Sequence, residues 1–74
     1  MNSEQQKWTA DKCNQLKQYI DQYFPLSDEQ WESVANYIAK IVDLAKGNAE
    51  VRTALFDTVG PYQKKSEEIL IAQI

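Results

Sequence analysis

PLSDEQW, residues 25–31, packs a proline, a serine, two acids and a tryptophan into seven positions, and its reading decides the fold. Pro25 disfavours helical geometry in the residue before it, so a helix arriving from the N-terminal side stops near Phe24. Ser27 is a good N-cap, and Gln30 stands three residues on, which completes a capping box. Leu26 before the cap and Trp31 at the fourth helical position have the spacing of a hydrophobic staple. Asp28 and Glu29 occupy the first turn, where the helix dipole favours negative charge. Each residue from 26 to 31 thus has a local structural task, and the stretch marks a helix start.

Working outward, two more breaks punctuate the chain, Gly47-Asn48 and Gly60-Pro61. Between the breaks the apolar residues recur with a helical period, and nothing alternates as a strand would. The first helix is expected over residues 7–24, with residues 1–6 frayed except for a weak capping pattern at Ser3 and Gln6. Its apolar side carries Trp8, Cys13, Leu16, Tyr19, Ile20, Tyr23 and Phe24. The second is expected to run from Ser27 to Lys46 with Gly47 as a left-handed cap. Tyr37 and Leu44 widen its stripe to about half the circumference, more than the ≳100° of a one-sided surface helix, so it is expected to be central. Asn48 is a cap for a short third helix over residues 49–59 with Val51, Leu55 and Val59 inward and Phe56 to one side. Gly60-Pro61 is expected to end it and open a fourth, since proline is tolerated at the first helical position. In that fourth helix Tyr62, Ile69 and Leu70 form the core face. The expectation is a single all-α domain, a compact bundle of three to four helices.

The bulk composition sets limits. At 74 residues the chain has room for one small core, and cores of this size are commonly reinforced by disulfides, a metal or association. Cys13 is the one cysteine and there is no histidine, which removes an internal disulfide and the zinc sites built from Cys and His. Association remains, and a homo-oligomer is expected. The unpaired cysteine suits a reducing compartment. The N-terminal residues lack the apolar core of a signal peptide, and the longest unbroken apolar run, residues 69–72, is too short to span a bilayer. The expected location is the cytoplasm.

Chemistry is weakly represented. Asp21 and Glu32 have the end-to-end spacing of a calcium loop, but Tyr23, Pro25 and Leu26 stand where oxygen ligands and the turn glycine belong. The other acids cluster at a helix start or beside Lys64 and Lys65, placements that suit the dipole and helical ion pairs. Cys13 has no histidine to act as its base and sits on an apolar helix face. No catalytic residue, metal or cofactor is expected, and the protein is not expected to be an enzyme.

The net charge of −3 argues against strong phosphate binding. A helix-turn-helix reading would rely on Lys46, Arg52, Lys64 and Lys65, and acids adjoin three of these four. A third reading is a carrier of a small apolar ligand, suggested by the eight aromatic residues. The leading expectation is a protein-binding module, an adaptor, inhibitor or regulatory subunit. It would present an apolar helical face made of Trp8, Tyr37, Leu44, Ile71 and Ile74, with a polar rim.

Overall fold

The structure, a computed structural model, describes residues 3–73. Three helices follow one another, α1 Ser3–Tyr23, α2 Asp28–Leu44 and α3 Ala49–Ala72. No strand occurs among the described residues. Ile74, expected in the partner-binding face, lies outside them.

The turn at residues 24–27 is built as its sequence dictates. The Phe24 N–H still donates to the Ile20 carbonyl, and the Phe24-Pro25 peptide is cis. The Gln30 N–H then donates to Ser27 Oγ (3.2 Å) while the Ser27 N–H donates to Gln30 Oε1 (2.9 Å), a complete capping box. At the far end of α2 Gly47 is left-handed as expected, and Lys46 before it is left-handed as well. Lys46 adopts φ 56° and Gly47 φ 72°. The Lys46 N–H bonds the Asp43 carbonyl and the Gly47 N–H that of Val42, the paired closure of a Schellman motif. Asn48 Oδ1 then accepts from the N–H groups of Glu50 and Val51 and opens α3.

The expected break at Gly60-Pro61 does not occur, and α3 is one helix of 24 residues with Pro61 inside it. Among the described residues there are three helices. Pro61 has no N–H for the Asp57 carbonyl, a loss of about 3 kcal/mol in an average helix interior. Gly60, lacking a Cβ, relieves the clash that a residue before proline meets in helical geometry. What carries the helix through is the seam Val51, Leu55, Val59, Tyr62, Ser66 and Ile69. Its spacing keeps phase across the proline, so the same face packs inward on both sides. Likewise α1 is helical from Ser3, with the Thr9 hydroxyl donating to the Gln5 carbonyl.

The core is aliphatic: Leu16 and Ile20 from α1, Val34, Ile38 and Ile41 from α2, Val51, Leu55 and Val59 from α3. Trp8, Cys13, Tyr19, Phe24, Trp31, Tyr37 and Tyr62 pack around it, half-buried. The closest pairing is α1 with α3, which run in the same direction, so α2 is not the covered centre that its wide stripe suggested. Tyr62 lies level with Asp21 and Phe24 of α1, and Gln63 with Trp31 of α2. Ser66 and Ile69 are still partly buried, and from Leu70 onward every described residue of α3 is exposed, so the helix projects by about one turn, roughly 5 Å. The molecule measures 47 × 20 × 18 Å. Leu70, expected in the core face, is 63% exposed on that projection, because the helices that would have covered it have already ended.

Candidate partner-binding surface

Of the five residues expected to form one apolar face, the four that are described are dispersed. Trp8 and Tyr37 are half-buried against the core. The Tyr37 hydroxyl reaches the Lys12 carbonyl (3.4 Å) and Gln15 Oε1 (3.2 Å). Burial, and secondarily the neighbouring Cys13, push its phenol above the usual tyrosine value. Leu44 is exposed and shares a shallow depression with Trp8 at one end of the bundle. Ile71, also exposed, lies on the projecting end of α3, at the opposite end of the molecule.

A longer surface lies between α2 and α3. The two helices diverge enough to leave a groove of about 460 Å³ with Trp31, Ala35, Ala39 and Val42 along its α2 side. Arg52, Phe56 and Gln63 stand along its α3 side, above the core residues Ile38 and Val59. The α2 wall is low because Ala35 and Ala39 are small and exposed, whereas Phe56 stands 57% exposed on the other wall. Phe56, Gln63 and Leu70 are spaced by seven residues, two helical turns, so they share one face of α3 with a drift of only about 20° per step. Phe56 and Gln63 line the groove, and Leu70 lies beyond its lining on the same helical phase.

Charge along this groove is polarised. Asp28 and Glu32 lie within one turn of Trp31 along α2, and Glu67 follows one turn beyond Gln63 on α3. Arg52 and the turn residue Lys46 stand at the other end, together with Asp43. All six are exposed.

The cations weighed for nucleic acid do not gather into one patch. Lys46 and Arg52 lie where α3 begins, while Lys64 and Lys65 follow more than three turns later. The Lys65 ammonium sits 5.8 Å from the centre of the Phe24 ring, and the Lys12 ammonium 5.7 Å from that of Trp8, so both cover aromatic surface. A smaller cleft of about 280 Å³ between α1 and α2, lined by Leu16, Tyr19, Val34 and Tyr37, is the space nearest to what an apolar-ligand carrier needs.

Cys13 is a free, half-buried thiol. Among the described residues no group of three or more His, Cys, Asp or Glu side chains is placed to hold a metal ion. No helix among them is long and apolar enough to cross a membrane. Comparison of the chain with known protein families, with curated proteins and with solved structures finds no match.

Phe56, off the core stripe, shares its helical phase with Leu70, and a division of α3 at Pro61 hides that relation. The signal was present: seven-residue spacing across a proline that leaves the helical phase intact.

Proposed function

We propose that this protein is a small, non-enzymatic protein-binding module that works through an apolar helical face and associates with itself. The face is the α2–α3 groove, lined by Phe56, together with Leu70. The observation that carries this reading is the exposure of Phe56 (57%) and Leu70 (63%) on one stripe of α3. Residues of this size contribute about 1.5–3 kcal/mol each when buried, and exposed large apolar side chains beside an apolar groove are typical of an association site. Size supports the same reading: a 74-residue chain without a disulfide framework gains from a second chain what its own core supplies sparingly.

Sedimentation across a concentration series tests it. The wild type is expected to shift from monomer to a larger species in the micromolar range, and Leu70→Asp is expected to remain monomeric. A wild type that stays monomeric to high micromolar concentration, or a Leu70→Asp variant that associates as the wild type does, removes the reading.

A further inference from the structure

The charge pattern of the groove names its occupant. We infer that the surface is covered by a second copy of this chain, related by a two-fold axis, with the two α3 helices antiparallel and crossing at Val59–Gly60. The inference rests on the proposed binding role and specifies its geometry.

The argument is one of complementarity. Arg52 lines the Val42 end of the groove, with Lys46 and Asp43 within about a turn of Val42; near the Trp31 end Asp28, Glu32 and Glu67 lie within about a turn of Trp31 or Gln63, against one cation, Lys64. A two-fold axis perpendicular to the helices reverses the groove end for end. It sets the acidic end of each copy on the basic end of the other. A parallel arrangement would instead place like on like, which is repulsive. An isologous contact of this kind is self-complementary by construction and closes at a dimer.

The register follows from α3 itself. Arg52 and Glu67 are equally far from the Val59–Gly60 midpoint, on either side of it, and so are Phe56 and Gln63. Arg52, Phe56 and Gln63 line the groove, and Glu67 follows one turn beyond Gln63. Antiparallel crossing at that midpoint brings Arg52 of each copy to Glu67 of the other, in two symmetry-related ion pairs. Phe56 is laid beside Val59 and Gln63 of the second copy. The projecting end then extends past the start of the second copy's α3, where Leu70 is covered near Ala49. Ala35 and Ala39 leave the α2 walls low enough for the incoming helix to settle. On this arrangement the projecting end of α3 is the arm that completes the contact.

Charge reversal with rescue tests the register, read as the dimer dissociation constant from sedimentation at low and high salt. Arg52→Glu alone and Glu67→Arg alone are each expected to weaken the dimer roughly tenfold or more at low salt, since each creates two like-charged contacts. Arg52→Glu combined with Glu67→Arg is expected to return the constant to within about threefold of wild type, because the pairs are restored with exchanged sign. The differences are expected to shrink at high salt. Both positions are exposed, so circular dichroism of each variant is expected to match the wild type. If the wild type dimerises and Leu70→Asp breaks the dimer, but the single reversals have no effect or the double reversal fails to rescue, the antiparallel register is wrong while the binding face stands. If Leu70→Asp leaves the dimer intact, the face itself is wrong.

Discussion

The Tyr62 hydroxyl donates a hydrogen bond to the carboxylate of Asp21, joining α3 just after Pro61 to the last turn of α1 across 41 residues of sequence. The Phe24 ring lies 5.9 Å from the Tyr62 ring at the same level. Together they fix the height at which α1 stops accompanying α3, and hence the length of helix that projects. The bond also marks Tyr62 electrically. Its hydrogen bond to Asp21 foremost, then burial and the carboxylate's charge, raise the phenol from 10.0 to about 12.

This gives a pH dependence with a definite sign. A phenol whose folded value lies above its unfolded value contributes stability that is fully present below pH 10 and is lost as pH rises from 10 through about 12. Tyr62→Phe is therefore expected to be less stable than wild type at neutral pH, with the difference closing across that window. Urea denaturation of both proteins at several pH values measures it. The phenolate absorbance of the wild type should include a late-titrating component that Tyr62→Phe lacks, and a constant difference at every pH would refute the assignment.

Pro61 breaks one backbone hydrogen bond in the middle of α3 and is itself exposed. Pro61→Ala is expected to stabilise the protein by about 2 kcal/mol, the helix-interior gain less the entropy that proline removes from the unfolded chain. Thermal denaturation reads the change. A loss of stability would mean that a bend at Pro61 is needed to bring Tyr62 to Asp21.

Lys46 and Gly47 are adjacent and both left-handed, yet only one of them is suited to that geometry. Lys46→Gly is expected to add about 1 kcal/mol, since a side chain at positive φ is disfavoured by about that much. Gly47→Ala is expected to cost a similar amount for the same reason. An added Cβ at Gly47 would meet nothing within 4 Å, so the cost is one of backbone conformation and not of crowding. Opposite signs in urea denaturation support this account of the turn, and equal signs contradict it.

Leu55 and Leu70 stand on one helix with opposite surroundings, 0% and 63% exposed. Leu55→Ala is expected to cost about 2–5 kcal/mol, a large fraction of the 5–15 kcal/mol typical of a domain. Leu70→Ala is expected to change monomer stability by no more than about 0.5 kcal/mol when measured at a concentration below self-association. Comparable losses at the two sites would place Leu70 in the core.

The contrast between these leucines shows where a sequence is informative and where it stops. Local signals were legible to the atom: the reciprocal bonds of Ser27 and Gln30 and the two bonds to Asn48 follow from residue type and spacing. Periodicity also identified the inward residues Leu16, Ile20, Val51, Leu55 and Val59. Two things were not legible. Proline at a helix start and proline inside a helix look alike to their neighbours, and only the unbroken seam across Pro61 separates them. Periodicity also assigns a residue to a face without saying whether another helix reaches that far, which is why Leu70 reads as core and stands exposed. The groove depends on both, so Phe56 and Leu70 could not be joined while α3 was divided.

Sedimentation equilibrium of the wild type beside Leu70→Asp, at matched concentrations into the high micromolar range, addresses the central claim most directly. The account predicts a wild type approaching twice the mass of 8.6 kDa and a variant that keeps its helical content yet stays at the single-chain mass. Two proteins that both remain at 8.6 kDa, or that associate alike, would contradict it.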